Sequence, residues 1–215
     1  MARKPYRRVP SGFRFTGREI RDLAVAWLAL GVAFALFLDR PELLDALDAP
    51  ASEAAATIGL LLVRALTTVG VGFLLHELAH KAVAVHFDQI AEFRADYGML
   101  GLAIVAGLAG FLFAAPGAVY HQGRTTAREN GLIALAGPVT NLVLAAAFLP
   151  LAFLGGYAGE VGNLGVLVNV LLAAFNMIPY GPLDGRKVIA WSTLVYAVVA
   201  VPTIGLAVWL LFPLF

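Results

Sequence analysis

An α-helical polytopic membrane protein is the class this sequence predicts, and three observations carry the prediction. Of 215 residues, 60% are hydrophobic and only 13% are charged, whereas a soluble domain averages about a quarter charged residues. The mean hydropathy is +0.84. Several apolar runs are also long enough to lie in a bilayer, which takes roughly 20 residues per helix. About five to six membrane segments are expected, one of them re-entrant and flanked by short strand-like pieces.

Each element follows in order along the chain. MARKPYRRVPSGFRFTGREIRD, residues 1–22, is a basic tail punctuated by proline and glycine. Leu23 to Leu38 carries no charge and predicts a short first span. DRPELLDALDAPASE is acidic and turn-prone, a loop. Ala54 to His86 is one long apolar segment, interrupted by Arg64 and by a histidine motif. FDQIAEFRADYG is polar, with strand-like alternation around Phe93 to Tyr97. Met99 to Tyr120 is apolar but broken by Gly101, Gly107, Gly110, Pro116 and Gly117. HQGRTTAREN is a basic loop. Gly131 to Phe153 and Val161 to Ile178 predict spans, and Val188 to Phe215 is a last apolar stretch containing Pro202. Residues 23–215 read as a single membrane domain with no soluble domain appended.

Lysine and arginine in short loops set orientation. Arg3, Lys4, Arg7, Arg8, Arg14, Arg18 and Arg21 place the N-terminus in the cytoplasm, and the acidic loop after the first span lies outside. The long segment then runs inward and exits near Phe87. Basic residues flank Met99 to Tyr120 on both sides (Arg94 before it, Arg124 and Arg128 after it), which favours a re-entrant element over a full span. Irregular backbone at membrane depth is tolerated only where protein or a cavity covers it.

Several function classes fall away. With no cysteine, disulfides, thiolate metal sites and cysteine nucleophiles are excluded. A net charge of +1, with no basic stripe interleaved with aromatics, gives no nucleic-acid footprint. The first apolar run lacks the small-residue cleavage site of a secretory signal.

The chemistry concentrates in GFLLHELAHKAVAV. Ionisable groups in hydrocarbon are costly and mark function. His76 and His80 lie one turn apart on one helix face, so both rings reach a single tetrahedral Zn²⁺, and Glu77 is placed to take a proton from water. One zinc per chain is expected. A catalytic zinc takes a third protein ligand and keeps one position open. His86 has the spacing of an extended zinc motif, but Val83 stands where that motif turns on a glycine. On a continuing helix His86 lies ~9 Å beyond His80 and well round the axis. Asp184, in NMIPYGPLDGRK beneath an apolar span, lies in the same depth zone as His80 and is the better third ligand. Arg64 is expected to snorkel outward or pair with an acidic loop residue, and Lys81 to snorkel to the cytoplasmic interface. Asn141 and Asn176, taken alone, suit interhelical hydrogen bonds.

HELAH (76–80), AGPVTN (136–141) and NMIPYGPLDG (176–185), in that order, resemble the site-2 protease family of intramembrane zinc metalloproteases, over Ala65 to about Trp191. The resemblance implies His76, His80 and Asp184 as zinc ligands and Glu77 as general base. It also implies that Asn141 and Asn176 hold the substrate strand or the oxyanion. The expected activity is endopeptidase cleavage of transmembrane or membrane-adjacent segments of membrane-anchored proteins, within the lipid bilayer. A non-proteolytic zinc-binding or transport protein would keep the histidines without needing Glu77. Only 31 residues follow Asp184, too few for two full spans, so a reduced C-terminal arrangement is expected.

Overall fold

The computed structural model describes residues 12–111 and 116–212. Arg3, Lys4, Arg7 and Arg8 of the basic tail lie outside the described residues. Among those described, the helices are α1 (Gly17–Leu38), α2 (Arg40–Leu47), α3 (Ala51–Ala65), α4 (Val71–His86), α5 (Tyr97–Leu108), α6 (Ala127–Ala152), α7 (Gly156–Asn176), α8 (Asp184–Trp191) and α9 (Thr193–Leu211). The strands are β1 (Ile90–Ala95) and β2 (Gly117–Gln122). Five helical stretches are long and apolar enough to cross a membrane: Gly17–Leu38, Ala51–His86, Ala127–Ala152, Gly156–Asn176 and Thr193–Leu211. The chain is an α-helical polytopic membrane protein with a small sheet.

α1 begins six residues earlier than its apolar run, because Thr16 caps it by accepting from the Glu19 N–H at 3.1 Å. The end of the expected tail is therefore helix, and Glu19 and Asp22 are buried on it. Asp39 closes α1, and Arg64 pairs with Asp39 and with Glu160 at 2.8 Å. Pairing, the second option for Arg64, is what the fold uses.

α3 and α4 join through a π-helical turn, Leu66–Gly70. A wide turn disturbs the ordinary ladder, and α1 covers it closely. The Trp27 Nε1–H donates to the Leu66 carbonyl at 3.0 Å. A Cβ on Gly31 would meet the Leu66 side chain at 2.4 Å, and one on Gly70 the Trp27 ring at 2.4 Å. Leu23, Leu30 and Phe34 of α1 form a core with Val69 of that turn, Phe73 of α4, Phe93, Leu100 and Val168.

β1 and β2 are antiparallel, with Phe93 opposite Val119 and Ala95 opposite Gly117. The chain thus leaves the sheet at Ala95 and re-enters beside it. α5, at 12 residues, is ~18 Å long and too short for a ~30 Å hydrocarbon core. Strand structure ends one residue before Asp96, which caps α5 by accepting from the Met99 N–H at 3.0 Å; the expected strand at Phe93 to Tyr97 is shifted accordingly. α6 and α7 approach closely through glycines, since a Cβ on Gly162 would lie 2.2 Å from the Ala152 nitrogen. Small residues allow such contact where hydrophobic driving force between helices is absent. The last apolar stretch divides into the short α8 and one spanning helix, α9, as its length requires.

α5 docks on α1 at Gly107, where a Cβ would come 2.4 Å from the Ala33 carbonyl oxygen. Backbone cannot yield as a side chain can, so Gly107→Ala is expected to cost about 1–3 kcal/mol. Thermal unfolding in detergent, compared with Gly101→Ala, where a Cβ meets nothing within 4 Å, checks this: only the Gly107 variant should fall.

Candidate metal centre

α4 passes through the middle of the bundle and carries His76, Glu77 and His80, all buried. Asp184 reaches them from the first turn of α8, after the turn at the end of α7. Gly185 makes that turn fit: a Cβ there would meet the Met177 carbonyl oxygen at 2.2 Å. The result is a cluster of three buried ligand atoms. His76 Nε2 lies 2.9 Å from His80 Nε2, and Asp184 Oδ2 lies 3.4 Å and 3.1 Å from the two. Tetrahedral ligands at 2.0–2.1 Å from a zinc ion stand about 3.3 Å apart. The donor set therefore fits a metal ion of that size and preference.

Hydrogen bonds on the far side of each ring decide what faces the cluster. The Ile133 carbonyl can only accept, so His80 Nδ1, at 2.7 Å, donates to it and leaves the Nε2 lone pair directed inward. For His76 the chain of bonds is longer. Asn169 Nδ2 donates to the Gly165 carbonyl at 2.9 Å, which turns its Oδ1 to Asn141. Asn141 Nδ2 then donates to that Oδ1 at 2.9 Å and to the Gly72 carbonyl at 3.1 Å. Asn141 Oδ1 is left to accept from His76 Nδ1 at 2.6 Å. Two lone pairs and a carboxylate consequently point at one place, an arrangement that repels itself unless a cation lies between them.

α6 supplies the room. A Cβ on Gly137 would fall 2.5 Å from His76 Nε2 and 2.6 Å from His80 Nε2. Pro138, next to it and buried, lacks the N–H that would bond the Ala134 carbonyl and loosens the helix at this level. AGPVTN thus sets a gap at Gly137, a loosened turn at Pro138 and, one turn on, an orienting amide at Asn141.

Two known proteins resemble the chain. "Putative zinc metalloprotease MJ0611" of Methanocaldococcus jannaschii is 38% identical over 205 residues, 93% of this chain and 98% of that protein. The chain belongs to this zinc metalloprotease family. "Putative zinc metalloprotease YwhC" of Bacillus subtilis is 33% identical over 146 residues, 57% of this chain and 65% of its own length. No protein-family model and no solved structure matches.

In this metalloprotease family member the expected site residues do not all sit where the sequence suggests. His76, His80 and Asp184 converge, and His86 does not: it is exposed at the end of α4, its ring against Phe87. Glu77 lies beside the cluster, and its Oε2 has no hydrogen-bond partner among the described residues. Asn176, the last residue of α7, lines a cavity of about 590 Å³ with the cluster and gives one amide hydrogen to the Leu172 carbonyl at 2.9 Å. Asn141 lies behind His76 with its amide engaged by protein, so it holds the ring rather than facing the cavity. Its partner Asn169 carried no motif, and only tertiary contact reveals it. His121, expected as a loop histidine, sits on β2 and lines the cavity with Lys187 of α8.

Lys81 departs most from expectation. It does not snorkel: its side chain is 1% exposed and pairs with Glu19 at 2.6 Å. The sequence reading placed Glu19 in a solvated tail; folding that segment as the first turn of α1 buries the carboxylate beside the lysine. Thr16-x-x-Glu19 before an apolar run is a helix-start signature that pointed to it.

Supporting partners behind a metal ligand are worth 10–100-fold in affinity. Asn141→Leu is expected to weaken zinc binding by about that factor, and Gly137→Ala to weaken it more by intruding between the rings. Competition against a chelator of known affinity measures both, with Val143→Ala on the exposed face of α6 as the unchanged control.

Proposed function

We propose that the chain is an intramembrane zinc metalloendopeptidase of the site-2 protease type, cutting transmembrane or membrane-adjacent segments of membrane-anchored proteins. The convergence of two imidazole lone pairs and the Asp184 carboxylate beside a carboxylate with an unpartnered oxygen carries this reading. His76, His80 and Asp184 would hold the zinc. Bound there, it supplies Lewis acidity, making water nucleophilic near neutral pH and polarising a peptide carbonyl.

The remaining steps belong to the protein. Glu77 Oε2 takes a proton from the attacking water as oxygen bonds to the scissile carbon. The same carboxyl gives a proton to the departing amine as the C–N bond breaks. Asn176 keeps a second amide hydrogen for the substrate backbone or the developing oxyanion. The cavity walls are largely apolar, with Leu30, Phe34, Val69, Phe73 and Phe175 around the polar cluster, which suits apolar residues flanking the cut.

A membrane-spanning substrate must unwind before its carbonyls are accessible, and an exposed strand edge can receive the extended backbone. β1 has no such edge free. Glu19 accepts from the Phe93 N–H at 3.0 Å and Asp22 from the Ala95 N–H at 3.4 Å, so α1 covers the outer edge of β1. The edge towards the cavity belongs to β2, whose Gly117, Val119 and His121 line it.

The charge pattern that puts the N-terminus in the cytoplasm also brings α4 and α7 inward in parallel. The meeting of His80 with Asp184 just beyond α7 supports a site towards the cytoplasmic side. His80 lies six residues before the end of α4, about 9 Å of helix, a depth that water can reach from that side.

Glu77→Gln tests the reading directly. Loss of a positioned proton-transfer group costs about 10²–10⁴ in rate. The variant should keep one zinc per chain and cut a model transmembrane peptide that much more slowly. Undiminished cleavage would remove Glu77 from the mechanism. A zinc-loaded wild type that cuts no membrane segment but moves zinc across vesicles would indicate a carrier instead.

A further inference from the structure

α4 carries a second pair at helical spacing, set beside the metal ligands. Glu77 and Lys81, like His76 and His80, are four residues apart, and the two stripes are about 100° apart around the axis. Both members of the second pair are buried. Where Glu77 serves chemistry, Lys81 has no place in it, and a charge so fully enclosed calls for a reason. A buried ion pair by itself adds little stability, because desolvation offsets the attraction.

The bonds around it show what it holds. Lys81 Nζ donates to both Glu19 carboxylate oxygens and to the Arg14 carbonyl, each at 2.6 Å, and lies 4.0 Å from the centre of the Phe15 ring. Glu19 Oε1 also accepts from the Phe93 N–H at 3.0 Å. Phe93 stands opposite Val119 in the hairpin. In an antiparallel ladder, opposite residues alternate between those bonded to each other and those whose N–H groups point outward. Phe93 and Val119 are of the outward kind. The Phe93 amide meets Glu19, and Val119 lines the cavity on the other side together with Glu77.

We propose that Lys81 grips the hairpin at Phe93 through Glu19, from the edge that faces away from the cavity. Lys81 and Glu19 are thus positioning residues, which set the substrate-facing edge of β2 against Glu77 and the metal ligands. The Phe73 ring packs edge-on to Phe93 at 5.7 Å from the same helix, so the sheet is fixed in height as well as laterally. The effect on turnover rests on the protease reading; the docking of the hairpin does not.

Removing one charge would strand the other in the interior, so the pair is replaced together in full-length, zinc-loaded protein. Glu19→Gln with Lys81→Met keeps an oxygen for the Phe93 N–H. Glu19→Leu with Lys81→Met does not, and a displacement of about 1 Å can cost 10²-fold in rate. The leucine variant should bind zinc as wild type does and keep its KM, while kcat falls about 10- to 100-fold. The glutamine variant should stay within about threefold of wild-type kcat, the tolerance expected of a neutral replacement for a buried pair. Hydrogen–deuterium exchange at residues 90–95 and 117–122 should quicken in the leucine variant alone. Equal kcat and equal exchange in all three proteins would overturn the proposal. If wild type cuts nothing, the protease reading fails, and the exchange comparison still decides whether Glu19 docks the strand.

Discussion

Everything in this structure is arranged around the cost of directing two imidazole lone pairs and a carboxylate at one point inside an apolar bundle. Such a convergence is unfavourable without a cation, and buried polar atoms must otherwise be satisfied. The protein meets the second demand on the far side of each ring, with the Ile133 carbonyl behind His80 and the Asn141–Asn169 chain behind His76. These bonds end on backbone carbonyls, which cannot donate, so the direction of every proton along the chain is determined. The inward faces are left as acceptors, which is what a metal requires.

Close approach is the other half of the arrangement. Gly137 lets α6 come against the imidazoles, Gly185 brings Asp184 round the end of α7, and Gly72 makes room for Asn169, whose Oδ1 would lie 2.7 Å from a Cβ there. Each glycine works by having no side chain. The π-helical turn before α4 belongs with them: its disturbed carbonyl at Leu66 is bonded by Trp27, and α1 is seated where it can also carry Glu19 to Lys81. A wide turn of this kind is common near functional sites.

α4 therefore performs two tasks with two interleaved stripes. One stripe meets α6 and α8 and builds the metal site. Its neighbour faces the hairpin and contains Glu77 and, one turn away, Lys81. Because the two stripes belong to one helix, the spacing of Glu77 from His76 and His80 is set by backbone geometry, and only Asp184 arrives through a turn.

The membrane class, five of the helices and the quartet His76, Glu77, His80 and Asp184 were legible in the sequence, for reasons that are local. Apolar length decides a span, i and i+4 place two rings on one face, and an aspartate under a span needs water or a cation. The charge on both flanks of Met99 to Tyr120 set that segment apart from the spans, and the structure makes it the short helix α5 and the strand β2. Lys81 and Glu19 were not, because lysine near a helix end ordinarily reaches water, and only the packing of α1 against α4 removes it from water. Asn141 was found by its motif and makes the interhelical hydrogen bonds its position suggested, but the sequence did not show that one of them goes to His76. Asn169, Gly137 and the outer edge of β1 depend wholly on contacts between distant segments. What the sequence determined by itself was the set of groups and the helix that holds most of them. The tertiary structure alone decided which partner orients each group, because hydrogen-bond direction and steric room are properties of neighbouring elements and not of the residues in turn.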